Sequence, residues 1–216
     1  AIDRAGFVGG DGATHAGIFD VSFLRCVPNM VIMSPSDENE CWKMLSTAYN
    51  YQGPAAVRYP RGEGLGTEIL KNFDSLEIGK ARVINEVASD FVILSFGNML
   101  KLSMEISYEI NCALIDMRFI KPLDEELIEK CAKNYKHIIS IEENIISGGA
   151  GSAVNEFLSK IGYSEKLKIF GITDEFPIVG SQEDQREAAG LTKTKIIEKL
   201  SLELDLKNLN KKVTAQ

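Results

Sequence analysis

The sequence predicts an α/β fold, a three-layer sandwich around a mostly parallel sheet, and three observations carry that reading. Short runs of branched apolar residues recur along the chain, helical periods of three and four separate most of them, and the runs are continuous in polarity. A strand buried on both faces needs apolar side chains at successive positions, whereas a strand with one wet face alternates. Strand and helix in turn therefore give a parallel sheet covered on both sides.

The first two runs, Val31–Met33 and Ala55–Val57, flank a helical stretch over 36–49. That stretch opens on Ser36 as its cap, with Asp37, Glu38 and Glu40 in an acidic first turn that suits the positive end of a helix dipole. Cys41, Met44, Leu45 and Ala48 then fall on one face. Beyond Arg61, the glycines 62, 64 and 66 lead into a polar stretch, which marks a boundary before Ile78. Later strand runs lie at 91–94, 113–115, 138–141 and Leu167–Ile172. Met99, Leu102, Ile106 and Ile110 form one helical face between them; Leu123, Leu127 and Cys131 form a second; Ala150, Val154, Phe157, Leu158 and Ile161 form a third. The organisation expected is the tail of one α/β unit at 1–62, a linker at 63–78, a complete unit at 79–202, and a polar tail at 203–216 that frays.

The 216 residues hold 24 Lys+Arg against 31 Asp+Glu, a formal net charge of −7, with 44% hydrophobic and 25% charged residues. That composition is globular. An acidic surplus argues against a general nucleic-acid binder, and an anionic small substrate would need arginines concentrated locally. No run approaches the ~18 apolar residues of a membrane span, so no membrane association is expected. Cys26, Cys41, Cys112 and Cys131 stand singly, without a C-x-x-C pair or a histidine at ligand spacing, and are read as reduced core residues of a cytoplasmic protein. The opening Ala1-Ile2-Asp3-Arg4 has neither an initiator Met nor a basic-then-apolar leader and is read as the middle of a longer chain.

The richest segment spans 3–20, where five glycines in eighteen residues ask for positive φ or close backbone approach. His15 lies there with Asp11 four residues before it and Arg4 upstream, so a proton shuttle, an acid and an anion clamp share one short loop. A polar turn with a solvated histidine fits the same residues equally well. Arg58 and Arg61 flank Pro60 at the carboxyl end of a parallel strand, the end that faces the ligand crevice in open α/β sheets. Arg58 is read as a surface ion pair; Arg61, stiffened by Pro60, is read as the ligand-facing guanidinium. Gly10-Asp11-Gly12 with Asn39 imitates a diphosphate and magnesium motif, but Asn39 falls in the first turn of a helix and no helix start follows the glycines, so no metal site is assigned. The glycine-rich run 147–152 precedes a helix and is read as close packing over phosphate binding. His137 is read as structural; Glu142-Glu143 is a cap or an interface element, left open.

Taken together, Asp3-Arg4-Ala5-Gly6 through Gly12-Ala13-Thr14-His15-Ala16-Gly17, then Phe19-Asp20, Leu24-Arg25-Cys26-Val27-Pro28-Asn29-Met30 and Pro35-Ser36-Asp37-Glu38-Asn39-Glu40, closely resemble the 1-deoxy-D-xylulose-5-phosphate synthases, a transketolase-like family. Val57-Arg58-Tyr59-Pro60-Arg61-Gly62 and the run from Gly148 to Val154 fit the same family, so the resemblance spans essentially the whole chain; Ala13 stands where the family often has proline. The resemblance implies a transferase that uses thiamine diphosphate and Mg2+ to condense pyruvate with glyceraldehyde 3-phosphate, losing carbon dioxide. That reaction opens the non-mevalonate route to isoprenoids and feeds thiamine synthesis. It also implies a cytoplasmic homodimer, with 1–62 ending a pyrimidine-binding domain and 79–202 forming a transketolase C-terminal domain. Arg4 and Arg61 would then bind the acceptor phosphate, and His15 would transfer a proton near the reacting carbons with Asp11 beside it. The cofactor and metal ligands would lie outside this chain. The chain alone is expected to be inactive, with the loop 3–20 mobile or displaced. Two further readings are the beta subunit of a pyruvate-dehydrogenase-type complex and, for 79–202, a non-catalytic dimerisation domain.

Overall fold

The computed structural model describes residues 1–71 and 74–204; nearly all of the tail expected at 203–216 lies outside the described residues. After a short helix, α1 (Asp20–Leu24), strands β1 (Val31–Met33) and β2 (Ala55–Val57) pair in parallel, joined by helix α2 (Glu38–Asn50). α2 packs Met44 with Val31, Met33 and Val57. Asp37 caps it, one residue after the expected Ser36: the Asp37 carboxylate accepts from the Glu40 N–H at 2.8 Å, while Ser36 Oγ donates to Asp116. Leu45, expected on the inner face, is exposed.

The chain continues through β3 (Arg82–Asn85), β4 (Phe91–Ser95), α3 (Leu100–Ile110), β5 (Ala113–Asp116), β6 (Phe119–Lys121), α4 (Glu125–Asn134), β7 (His137–Ile145), α5 (Ala150–Lys160), β8 (Leu167–Ile172), α6 (Gln182–Ala188) and α7 (Lys193–Leu204). β4, β5, β7 and β8 are parallel, and the five-stranded order is β3-β5-β4-β7-β8, with β3 antiparallel at the edge. Successive side chains leave a strand on opposite faces. Ile93, Leu114, Ile139 and Ile141 therefore meet Ile106 of α3 and Ile196 and Leu200 of α7. Val92, Leu94, Ala113, Ile115 and Ile138 meet Ile128 of α4 and Val154 and Leu158 of α5. Both faces are dry, which gives the expected three layers.

Two strands lie outside the sequence expectation. β3 is half-exposed at an edge and has no apolar run. β6 has three residues and pairs antiparallel with β1, so the smaller sheet runs β2-β1-β6 and takes one strand from the later stretch. Ions reinforce that seam. Glu40 of α2, 1% exposed, meets Arg118 at 2.7 Å and Arg82 at 3.4 Å, and Arg82 reaches Asp116 at 2.9 Å. Burial pushes the Asp116 carboxyl up, while Arg82 opposes the shift.

Cys112 and Cys131 are buried, and desolvation pushes both thiols up to about 12. Cys41 is partly buried, but Cys26 is exposed in the turn after α1, which corrects its reading as a core residue. His137 opens β7 and stacks on Phe91 at 4.9 Å, and burial pushes its pKa down, in keeping with a structural role. Among the described residues no helix is long and apolar enough to cross a membrane.

Ile139 sits mid-sheet with no exposed surface, so Ile139→Ala should lower unfolding free energy by about 2–5 kcal/mol. Leu202→Ala, at an 87% exposed position, should stay within about 0.5 kcal/mol of the parent in the same urea titration.

Candidate functional site

The start of the chain runs beside the end of β2. Ile2 N donates to Val57 O at 2.9 Å, Tyr59 N to Ile2 O at 3.0 Å, and Ala5 N to Tyr59 O at 3.0 Å. Arg4 and Arg61, far apart in sequence, therefore come to one edge. Gly6 and Gly17 then exchange backbone bonds at 2.7 and 3.0 Å and pinch the loop shut. Gly6 is left-handed at φ +81°, and a Cβ on Gly17 would overlap the Arg4 carbonyl. Beyond the pinch the chain folds onto the larger sheet, where Phe7 and Ile18 join the core beside α3 and α7. A 3-10 turn at Gly9–Asp11 follows.

That turn sets the charge arrangement. Asp11 Oδ2 lies 3.1 Å from Arg61 Nε and 3.8 Å from Arg4 Nε, and Arg61 Nη1 also donates to Val8 O at 3.1 Å. Three of the four expected site residues thus form one partly exposed group, a carboxylate between two guanidiniums. His15 stands apart on the exposed side of the loop, with Nδ1 3.0 Å from Thr14 Oγ1. Asp11 therefore pairs with the arginines and not with His15.

The loop is packed and bonded at its base. Phe7 and Val8 are each 1% exposed, and the loop backbone is bonded to Glu143, Gln182 and Gln185. Arg58 is a buried pin, which corrects its reading as a surface ion pair. Its Nε and Nη2 meet Asp20 at 2.6 and 3.1 Å, and Nη2 donates to Gly17 O at 3.1 Å.

Glu142 and Glu143 resolve the question the sequence left open. Glu142 accepts from Ala150 N and Gly151 N, both at 2.7 Å, so a carboxylate of this chain already fills the α5 N-terminus. Gly151 packs against Ile169 and Ser140 without room for a Cβ, in keeping with the close-packing reading of 147–152. Burial pushes the Glu142 carboxyl up to about 7, against the pull of those two N–H donors, Arg58 and Arg25. Glu143 accepts from Arg186 Nε at 2.5 Å, Asn98 Nδ2 at 2.7 Å and Phe7 N at 3.4 Å. The sequence signal for this hub was a pair of carboxylates at the end of an apolar strand run.

Asn39 lies in the first turn of α2, where its amide donates to Glu68 O and accepts from Leu70 N, each at 3.0 Å. Asp11 thus faces the arginines while Asn39 faces residues 68 and 70, so the two residues turn to separate partners. No group of three or more His, Cys, Asp or Glu among the described residues could hold a metal ion. Arg61, but not Arg4, lines a cavity of about 690 Å3 whose other walls include Tyr59, Asn98, Met99, Gln182 and Arg186 as well as the acidic Asp37, Glu38, Glu63, Glu105 and Glu183. Two guanidiniums around one carboxylate leave a local net positive charge on the loop, suited to a phosphate or carboxylate group.

Residues 79–196 match the family model for the transketolase C-terminal domain. The chain belongs to the transketolase family. Residues 1–65 of this transketolase-family chain match the transketolase pyrimidine binding domain. Among its relatives, the 1-deoxy-D-xylulose-5-phosphate synthase of Vibrio parahaemolyticus is 52% identical over 191 residues, covering 88% of this chain and 31% of that protein. The synthase of Photobacterium profundum is 50% identical over 198 residues, covering 89% and 32%. The chain thus spans about a third of the length of these relatives. A split-gene transketolase, described as an inactive beta4 tetramer, superposes with TM-score 0.80 at 27% identity, covering 92% of this chain and 65% of that one. A Campylobacter jejuni transketolase gives 0.69 at 24%, covering 94% and 30%, and shares the fold.

Asp20→Ala leaves Arg58 buried without its carboxylate and should cost about 3–5 kcal/mol by urea denaturation. Glu142 carries a pH prediction. Its folded pKa of about 7 exceeds the ordinary 4.5, so the folded chain keeps a proton that the unfolded chain has released. That stabilisation is complete below 4.5 and lost as pH rises through about 7. Unfolding free energy should therefore fall less steeply between about pH 5 and 8 in Glu142→Gln than in the parent, measured by denaturation at constant ionic strength.

Proposed function

We propose that this chain supplies the acceptor-binding part of a 1-deoxy-D-xylulose-5-phosphate synthase. Such an enzyme is a transferase that joins pyruvate to glyceraldehyde 3-phosphate with loss of carbon dioxide. The observation that carries the reading is the convergence of Arg4 and Arg61 on one anion site, braced by Asp11. Half-identity to named synthases over 88% of the chain favours it over a pyruvate-dehydrogenase-type beta subunit. In this reading 1–62 ends the pyrimidine-binding domain, 63–78 is the linker, and 79–202 is the C-terminal domain. Thiamine diphosphate and Mg2+ are assigned to the part of the longer relatives that this chain does not span, because Asp11 and Asn39 are engaged elsewhere. A family member that assembles without activity, the split-gene tetramer, supports the view that this chain is inactive alone. The working enzyme is proposed as a homodimer in the cytoplasm, and four free cysteines fit that reducing compartment.

The residues divide the work. The acceptor phosphate docks against Arg4 and Arg61, whose guanidiniums Asp11 holds towards one point before the substrate arrives. That prior ordering lowers the entropic cost of binding. His15 is exposed and has Nδ1 beside Thr14 Oγ1, which leaves Nε2 as the atom assigned to proton transfer. As the aldehyde carbon gains a new carbon–carbon bond, its oxygen gains charge, and His15 supplies the proton.

In the full-length enzyme, Arg61→Ala should raise KM for glyceraldehyde 3-phosphate roughly 10- to 100-fold, the loss of one charge-assisted hydrogen bond, with pyruvate KM unchanged. His15→Ala should lower kcat by about 100-fold or more. An unchanged acceptor KM in the first variant would sink the clamp, and parental turnover in the second would sink the proton role.

A further inference from the structure

We propose that α6 is the positioning element of the anion site, its Gln182 and Gln185 fixing the distance between Asp11 and Arg61. The inference rests on reading Arg4 and Arg61 as the phosphate clamp. α6 has seven residues, too few to stand as a helix without support. Its start is secured by a capping box in which Ser181 Oγ accepts from Asp184 N at 3.1 Å and Asp184 accepts from Ser181 N at 2.9 Å. Positions 182, 185 and 186 share one face, and all three side chains serve the loop.

Gln182 Nε2 donates to Phe7 O at 2.7 Å and to Arg61 O at 3.0 Å, so one amide nitrogen ties the loop to the residue that carries the guanidinium. Gln185, 1% exposed, grips both backbone groups of Gly9. Its Oε1 accepts from Gly9 N at 2.9 Å, and its Nε2 donates to Gly9 O at 3.3 Å and Ile178 O at 2.9 Å. Gly9 opens the turn that ends on Asp11. Arg186 completes the face by pairing with Glu143, which also accepts from Phe7 N.

The two glutamines bond the backbone on either side of the clamp, and neither bonds a charged atom of Arg4, Asp11 or Arg61. They therefore act on the spacing of the clamp and not on its charge. Gln185 is the stricter of the pair, because a buried amide that loses its partners leaves the Gly9 N–H and C=O unpaired. Gln182 is half-exposed, so water can replace its bonds and its loss frees position with little effect on folding.

The test uses the full-length enzyme with two acceptors, glyceraldehyde 3-phosphate and unphosphorylated glyceraldehyde, in Gln182→Ala, Gln185→Glu and Arg61→Ala. Gln185→Glu keeps an acceptor for Gly9 N and removes both donors. For each glutamine variant, kcat/KM for the phosphorylated acceptor should fall about tenfold, within the roughly 100-fold that a 1 Å misplacement can cost. The value for glyceraldehyde, and KM for pyruvate, should stay within about twofold, since phosphate positioning is lost and chemistry is not. Equal losses for both acceptors, or no loss in Gln182→Ala while Arg61→Ala discriminates between them, would overturn the positioning role alone. If Arg61→Ala also treats the two acceptors alike, the clamp reading fails and the inference falls with it. Should Gln185→Glu not fold, Gln182→Ala decides the matter.

Discussion

Two adjacent carboxylates near the end of β7 organise the junction between the glycine loop and the larger sheet. Glu142 and Glu143 are each 1% exposed, and a buried carboxylate is tolerated only when donors surround it. Because neighbours on a strand face opposite ways, the two draw in different partners. Glu142 takes the free N–H groups of α5 and fixes that helix against the sheet. Glu143 takes Asn98 before α3, Arg186 of α6 and the Phe7 N–H, so three segments remote in sequence meet on one side chain. Gly6 is required at the same place, since a Cβ there would overlap the Glu143 carboxylate.

The Glu143 hub explains how an acidic chain holds a cationic site. With a formal charge of −7, nothing in the overall composition favours an anionic ligand. The local arrangement does, because Arg58 is withdrawn into a buried pair with Asp20 while Arg4 and Arg61 remain about half exposed around a single carboxylate. One arginine is spent on structure so that the backbone beneath the other two is fixed.

What the sequence made legible follows from interaction range. The parallel strands and helices α2 to α5 announce themselves through local periodicity, and their positions hold. β3 and β6 do not: β3 is a half-exposed edge strand and β6 has only three residues, so each owes its existence to the partner it pairs with. α6 is polar and seven residues long, so it carries no apolar period to find. At the site, Arg4, Asp11 and Arg61 were readable as residue types in a glycine loop and at a strand end. Their partners were not. That Asp11 faces the arginines and not His15, and that Arg58 is internal, depends on contacts between residues as far apart as 11 and 61 or 20 and 58.

The bonding pattern also divides the loop in two. Residues 6–11 are tied at nearly every step, by Gly17, Glu143, Gln182, Gln185 and Arg61. Past Gly12, which has φ +74° with open space where a Cβ would be, the restraints thin out; His15 is linked to Gly12 O through its backbone and to Thr14 through its ring. In the proposed reading, phosphate recognition by Arg4 and Arg61 therefore rests on the more heavily bonded arc, and proton transfer by His15 on the less restrained one. Binding benefits from fixed geometry, whereas a group that gives and regains a proton must follow a substrate whose shape changes as its bonds form. The proposed roles suit the one closed loop because its long-range side-chain ties gather on residues 7–9, whereas His15 is held only by Gly12 O and Thr14.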